Sequence, residues 1–201
     1  MKLLIASRNQ GKVSIYKELL KDVNVEVLSL SDINCDVEVE ETGATTIENA
    51  RLKALGYAKA TGMVVLANDS GLTIEAFRPE DQPGVFVRRY GGGGELTDEQ
   101  TIEIYNRLFE EAGGSSKGVF SIALAIVDEN GKLYEREFLS HRFFKAPPCK
   151  ERMKGLPLRS FEFSVEQNKF VAQMTLAEQN QNEGQCLIDE GEWIKQVLSL
   201  S

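Results

Sequence analysis

The chain has 201 residues, a net charge of −8 at pH 7, 42% hydrophobic residues and 27% charged residues, which are ordinary values for a soluble globular protein. No run of residues approaches the roughly 20 apolar positions of a membrane span, so no membrane partner is expected. The negative charge argues against a nucleic-acid duplex as partner, and the length predicts one large domain over residues 1–201.

The first part of the chain predicts alternating strands and helices. An apolar run predicts a strand at 2–6, and helical spacing predicts a helix at 12–23. A short strand follows at 25–28, and alternating apolar and acidic residues predict a half-buried strand at 35–40. A threonine with a glutamate three residues later forms a capping box, which predicts a helix over 45–60.

The middle of the chain predicts two strands separated by a polar turn. The strands are expected at 63–67 and 72–77, with the turn at 68–71. Prolines and four consecutive glycines make 78–96 irregular, and a second capping pair predicts a helix over 97–113.

The last part of the chain contains a hairpin. Strands at 119–127 and 133–144 are joined by a Glu-Asn-Gly-Lys turn at 129–132, and they must therefore be antiparallel. A strand at 170–172 and a helix at 193–200 follow. One hairpin within an alternating pattern predicts an α/β or α+β fold with a mixed sheet.

Three cysteines, Cys35, Cys149 and Cys186, lie far apart and lack the spacing of a metal-binding cluster. An odd and sparse set of cysteines is typical of a reducing compartment. The first residues do not match a secretory signal peptide, because Lys2 and a short apolar run lead directly into polar residues. We therefore expect a cytoplasmic protein.

A polar turn joins the first strand to the first helix, and its residues are Ser7, Arg8, Asn9, Gln10, Gly11 and Lys12. Backbone N–H groups at a helix start point toward a ligand, and Gly11 allows close approach. The hydroxyl, amide and ammonium groups suit a phosphate chain. The alternative is an ordinary strand–helix connection in which Ser or Asn caps the helix.

Two adjacent glutamates, Glu40 and Glu41, precede the helix that carries Asn49 and Lys53. Carboxylate oxygens suit Mg²⁺, which also keeps several waters. Asn49 and Lys53 are four residues apart and share a helix face, so Lys53 can reach phosphate where that face lines a cleft. The alternative is a solvated acidic strand end beside an exposed helix face.

Asp69 and Ser70 directly follow a buried strand. Functional groups often gather where strands end in α/β proteins, and the carboxylate could bind metal, orient a water or accept its proton. A simple Asx turn is the alternative. The single histidine, His141, has no Ser/His/Asp arrangement around it, which argues against nucleophilic catalysis.

The order and spacing of these segments resemble the inosine triphosphate pyrophosphatase family, also called Ham1/RdgB-like. Four blocks carry the resemblance, at 7–12, 40–54, 66–72 and 83–91. Asn68 stands where the family has the first of two aspartates. The C-terminal half diverges, because the family's Gly-Phe-Gly-Tyr-Asp-Pro block and its late Ser-His-Arg are missing there.

The resemblance implies an elongated α/β fold: a long twisted mixed sheet with two lobes flanking a central nucleotide-binding cleft. It implies a homodimeric hydrolase that uses Mg²⁺, with Mn²⁺ as a substitute, to convert ITP, dITP and XTP to monophosphate and pyrophosphate. Asp69 is the implied catalytic residue, and it holds the metal together with Glu40 or Glu41. The implied substrate-binding residues are Ser7, Arg8, Asn9, Gln10, Gly11, Lys12, Asn49, Lys53 and Ser70.

Two other functions are compatible with the sequence. One is a Maf-like or divergent triphosphate pyrophosphatase with another base preference, which the missing base-reading blocks motivate. Whichever base is preferred, the polar candidates for base contacts in the divergent half are His141, Arg142, Lys145 and Arg159. The other is a non-catalytic nucleotide-binding module, although a binder has no need for a water-activating carboxylate at Asp69.

Overall fold

The computed structural model describes residues 1–90 and 94–200, with the side chains of Asn180 and Glu183 left aside. Residues 91–93 of the segment predicted to be irregular, 78–96, therefore lie outside the described residues. The elements in chain order are β1 (Lys2–Ile5), α1 (Gln10–Leu19), β2 (Glu26–Ser29), α2 (Thr46–Thr61), β3 (Val64–Ile74), α3 (Asp98–Glu111), β4 (Ser115–Val127), β5 (Leu133–Lys145), β6 (Phe163–Ser164), β7 (Lys169–Phe170) and α4 (Leu176–Val197).

Five strands form one sheet in the order β2-β1-β3-β4-β5, and β6 pairs with β7 separately. β1 runs parallel to β2 and to β3, with Leu3 opposite Val64. β4 and β5 are joined by a tight turn in which the Asp128 N–H donates to the Lys132 carbonyl over 3.0 Å. The sheet is therefore mixed, as predicted, and the fold is α/β.

By contact, the described chain divides into two compact units. The first comprises residues 1–70, 122–138 and 185–200, and the second comprises the described residues of 71–121 and 139–184. In the second unit, Phe109 packs against Phe144 and Phe161 with ring centroids 5.5 Å and 5.3 Å away. None of the helices in the described ranges is long and apolar enough to cross a membrane.

The first unit buries side chains on both faces of its strands. Consecutive strand residues point to opposite faces. Leu66 accordingly lies in a core with Tyr16 of α1 and Trp193 of α4, whereas Ala67 lies in a second core with Ala54 of α2. The residues that continue β3 beyond Ala67 are therefore divided between an α1/α4 face and an α2 face.

The capping signals in the sequence are confirmed. Thr45 and Glu48 form a complete capping box at the start of α2, and Gly62 ends the helix in the left-handed conformation with φ 67°. Thr97 and Gln100 form the same box at the start of α3. α1 begins at Gln10 instead of residue 12, because Asn9 is its cap.

The predicted turn at 68–71 is wrong, because β3 continues without interruption through these residues. The prediction rested on composition, because Asn, Asp, Ser and Gly are typical turn residues. Here hydrogen bonds satisfy the polar side chains, and β4 lies alongside β3 in the sheet. Asp69 is therefore inside a strand rather than at its end.

Three other predicted elements differ from the structure. Residues 35–40, all of which are described, form no β-strand, although Cys35 and Val39 pack against the core beside α2. The predicted strand at 170–172 is a short helical turn from Val171 onward. The last helix begins at Leu176 rather than at 193, and a non-helical Gly184 (φ 63°, ψ −153°) interrupts it. Its first half could not be predicted, because that half is polar and shows no apolar period.

Candidate active site

The turn after β1 is organised by Asn9. Its Oδ1 accepts from the N–H groups of Gly11 at 2.9 Å and Lys12 at 3.2 Å, and Ser7 Oγ accepts from the Asn9 N–H at 3.2 Å. The capping interpretation of this turn is therefore confirmed. Two backbone donors that could have faced a phosphate are already bonded to Asn9.

The two long polar side chains of the turn lie at the surface. Arg8 donates to the Val37 carbonyl over 3.0 Å, and Gln10 is exposed as the first helical residue. Lys12 is half-buried one turn into α1. The sequence predicts that its ammonium group, like that of Lys53, binds phosphate.

Lys53 of α2 lies at the centre of a buried ionic cluster. Its Nζ donates to the Asn68 carbonyl over 2.7 Å and to Asp69 Oδ1 over 3.1 Å, and it pairs with Glu41 Oε1 at 3.2 Å. The exposed fractions of the side chains are 10% for Lys53, 9% for Asp69 and 29% for Glu41. We call Lys53, Glu41 and Asp69 the ammonium cluster.

Asn49 connects this cluster to the segment that precedes α2. Its Nδ2 donates to Asp69 Oδ2 over 3.3 Å, and its Oδ1 accepts from the Gly43 N–H at 2.8 Å. A Cβ at Gly43 would lie 2.6 Å from the Glu48 Cβ and 2.9 Å from the Asn49 nitrogen, so only glycine fits. Asn49 and Lys53 share a helix face, as their spacing predicted, and from that face they bind both oxygens of Asp69.

The structure distinguishes the two adjacent glutamates. Glu41 joins the ammonium cluster, whereas Glu40 is exposed and forms no ion pair within the described part of the chain. Ser70 is half-buried and follows Asp69 on the opposite face of β3, where its hydroxyl donates to Asn68 Oδ1 over 3.4 Å.

The ammonium cluster suits a divalent cation. It contains two carboxylates, and carboxylate oxygens are the ligands that hard divalent cations prefer. Across the ranges that the structure describes, no group of three or more His, Cys, Asp or Glu residues could hold a metal. Mg²⁺ needs fewer protein ligands than that, since it binds through one or two carboxylates, waters and substrate phosphates.

Sequence reasoning missed a second ionic cluster, in the second unit. Glu162 is buried, and its Oε2 pairs with Arg142 at 3.3 Å and with Arg159 at 3.4 Å. We call these three residues the guanidinium cluster. The other two polar candidates of this region, His141 and Lys145, are exposed.

Two buried residues of the first unit were also missed. Tyr16 Oη donates to Glu190 Oε2 over 3.0 Å, and burial together with this carboxylate raises the pKa of Tyr16. Glu190 precedes Trp193 and Ile194 by three and four residues, so a carboxylate on an apolar helix face was the available signal.

Comparison with known proteins identifies the family of this chain. The Ham1 family profile matches residues 3–185. A dITP/XTP pyrophosphatase of Staphylococcus epidermidis is 35% identical over 133 residues, and one of Prochlorococcus marinus is 39% identical over 135 residues. These matches span 66% of this chain in both cases and 66% and 63% of the relatives, just under two thirds of their length.

Solved structures give the same result for the fold. A Ham1 protein of Coxiella burnetii aligns with TM-score 0.73 at 28% identity, and the Staphylococcus aureus Ham1 protein with TM-score 0.72 at 25% identity. Each alignment covers 98% of this chain and 99% of the other. These matches confirm the resemblance, and the chain belongs to the Ham1 family.

Proposed function

We propose that this chain hydrolyses purine nucleoside triphosphates to the monophosphate and pyrophosphate. The observation that supports this most strongly is the ammonium cluster, in which a buried carboxylate on a strand is held by Asn49 and Lys53. The names of its relatives, which are dITP/XTP pyrophosphatases, support the reaction class.

In the proposed reaction Asp69 is the general base. It accepts a proton from a water whose oxygen bonds to the α-phosphorus, while the bond from that phosphorus to the α,β-bridging oxygen breaks and pyrophosphate leaves. Each carboxylate oxygen has two lone pairs, so Asp69 can accept from water while it is bonded to Lys53 and Asn49. Those two bonds fix its orientation before substrate binds.

Mg²⁺ fits this site through Glu41 and Asp69, with Mn²⁺ as a substitute. When bound, the cation would offset the charge of the triphosphate and of the transition state. We propose Glu41 rather than Glu40 as the second carboxylate ligand, because Glu41 shares Lys53 with Asp69 whereas Glu40 is exposed.

We propose that the triphosphate binds against the turn after β1 and against Lys53. Lys12 supplies a cation from the first helical turn, and Ser7, Asn9 and Gly11 supply polar atoms and room for close approach. Positive side chains are needed there, because the protein as a whole has a net charge of −8.

We propose ITP, dITP and XTP as the substrates and a cytoplasmic homodimer as the working form. The relatives' names support dITP and XTP. The divergent C-terminal half favours one alternative, a pyrophosphatase with another base preference.

The test is pyrophosphate release from ITP, dITP, XTP, GTP, ATP and pyrimidine triphosphates, each with Mg²⁺ and with EDTA. We expect Mg²⁺-dependent release of one pyrophosphate per monophosphate, fastest with the first three. Fastest turnover of another base would support the alternative preference. Nucleotide binding without any turnover would indicate the non-catalytic module and contradict the proposal.

A further inference from the structure

Two side chains of α2 connect the same two segments of the first unit, which are the residues before the helix and β3. Lys53 Nζ pairs with Glu41 Oε1 at 3.2 Å and with Asp69 Oδ1 at 3.1 Å. Asn49, one helical turn earlier, donates from Nδ2 to Asp69 Oδ2 over 3.3 Å and accepts from the Gly43 N–H at 2.8 Å. The segments that carry the two proposed metal ligands are therefore joined twice, once by a cation and once by a neutral amide.

The partners of the Asn49 amide determine which way it faces. A carboxylate can only accept, so the NH₂ group has to lie toward Asp69. A backbone N–H can only donate, so the amide oxygen has to lie toward Gly43. Both partners require the same orientation, and two hydrogen bonds of opposite direction therefore fix the amide.

The backbone at Gly43 lies unusually close to this amide. A Cβ at position 43 would be 2.8 Å from Asn49 Oδ1, so a larger residue would push the segment away from the amide. The next two N–H groups, at 44 and 45, are bonded to the same helix. Gly43 is two residues from Glu41, so these bonds fix the backbone from which the Glu41 carboxylate extends.

Burial argues against direct contact between Asn49 and a nucleotide. The family resemblance implies that Asn49 binds substrate, but this residue is 0% exposed and its amide bonds to protein groups on both sides. The amide is also neutral. A cation bound by the two carboxylates would therefore not repel it as it would repel the Lys53 ammonium group.

We propose that Asn49 is a positioning residue for the metal, which holds the carboxylates of Glu41 and Asp69 at the separation that the cation requires. This inference rests on the proposed function, which assigns the cation to those two carboxylates. Groups that hydrogen-bond to metal ligands orient them, and their loss typically lowers metal affinity or activity ~10–100-fold. Mg²⁺ is sensitive to such a change, because it requires near-octahedral geometry.

The test compares the wild type with Asn49→Leu, which has a similar branched shape and removes both hydrogen bonds. Binding of Mn²⁺ without nucleotide, followed by loss of the EPR signal of the free ion, measures the metal site. Binding of triphosphate in EDTA measures the substrate site without metal. We expect roughly 10-fold weaker Mn²⁺ binding and a similar rise in the Mg²⁺ needed for half-maximal pyrophosphate release, with triphosphate binding in EDTA unchanged.

Two further variants test how Asn49 acts. In Glu41→Gln one of the positioned ligands is already lost, so adding Asn49→Leu should weaken Mn²⁺ binding by less than the product of the two single losses. Gly43→Ala crowds the amide from the other side and should also weaken Mn²⁺ binding. It provides the same test should Asn49→Leu fail to fold.

The matched control is Asn106→Leu, the same substitution in α3. Asn106 likewise donates to a carboxylate, that of Glu110, over 2.9 Å, but it lies in the second unit. This variant should bind Mn²⁺ as the wild type does.

Four outcomes would count against the account, and they are distinguishable. Wild-type Mn²⁺ affinity in Asn49→Leu and Gly43→Ala would overturn the positioning role. Weaker triphosphate binding in EDTA with unchanged Mn²⁺ affinity would assign Asn49 to substrate binding instead. Equal losses of both affinities would indicate a general structural role and contradict the inference. A wild-type chain that binds Mn²⁺ but hydrolyses no triphosphate would overturn the proposed function.

Discussion

The ammonium cluster of the first unit and the guanidinium cluster of the second unit combine acidic and basic groups in opposite proportions. In the first, one ammonium is shared by two carboxylates, and in the second, one carboxylate is shared by two guanidinium groups. In both clusters the charged side chains are at most 29% exposed.

This difference separates two kinds of recognition. Carboxylate oxygens coordinate cations, and guanidinium groups donate hydrogen bonds to anions and polar oxygens. The ammonium cluster therefore suits a cation, whereas the guanidinium cluster suits an anion or a polar oxygen. The first lies in segments that match the family blocks and the second lies in the divergent half, so we expect chemistry from the first and selectivity from the second.

The largest expected effect is that of Asp69→Asn. A general base typically contributes ~10²–10⁴-fold to turnover, so kcat should fall by that factor while nucleotide binding persists. Steady-state kinetics beside calorimetric binding measures both quantities. Asp22→Asn is the control, because Asp22 is an exposed carboxylate outside the cluster. Near-normal turnover in Asp69→Asn would remove this carboxylate from the mechanism.

The next effect concerns the stability of the ammonium cluster. Lys53→Met leaves two carboxylates without their shared cation, which should lower the free energy of unfolding by about 3 kcal/mol. Mg²⁺ should restore part of this loss, because a divalent cation can replace the ammonium. Thermal unfolding with Mg²⁺ and with EDTA measures the difference. Lys59→Met, at an exposed position of the same helix, should show neither effect. If Mg²⁺ does not change the thermal unfolding of Lys53→Met, the cation is not bound at this cluster.

A smaller effect is expected from the turn after β1. Lys12→Ala should weaken triphosphate binding roughly 10-fold, as expected for loss of a charged hydrogen bond, and the remaining affinity should depend less on salt. Lys17→Ala on the same helix is the control, because Lys17 is exposed and paired with Asp32. Titrations across a salt series test this. If Lys12→Ala binds as the wild type does at every salt concentration, the turn is only structural.

The smallest effect should come from the guanidinium cluster. Arg142→Ala and Arg159→Ala should each change the ratio of kcat/KM for ITP over ATP and GTP by roughly 3- to 10-fold, without altering the Mg²⁺ requirement. Arg136→Ala is the control, since Arg136 is an exposed arginine on β5. Steep selectivity that neither variant changes would show that base recognition lies elsewhere.

Features set by local chemistry could be predicted from the sequence. Thr45 with Glu48, and Thr97 with Gln100, define helix starts through hydrogen bonds within four residues, and both were confirmed. The β4–β5 hairpin follows from a turn of a few residues. Spacing along one helix likewise predicted that Asn49 and Lys53 share a face, and both contact Asp69.

Features set by distant partners could not be predicted. Asp69 lies inside a strand because Lys53 and Asn49 satisfy it there, so a turn-like composition was misleading. Tyr16 and Glu190 are 174 residues apart, and no local pattern pairs them. Glu162 likewise pairs with Arg142, which lies on β5.

The most direct test of the account is a Mg²⁺ titration of pyrophosphate release for the wild type, Glu41→Gln and Glu40→Gln. These neighbouring glutamates have the same chemistry, but only Glu41 shares Lys53 with Asp69 among the described ion pairs. We predict that Glu41→Gln raises the half-maximal Mg²⁺ concentration roughly 10-fold, because one charged oxygen ligand is lost, and that Glu40→Gln titrates as the wild type does. An unchanged titration for Glu41→Gln, or a shift for Glu40→Gln alone, would contradict the assignment of the metal to the ammonium cluster.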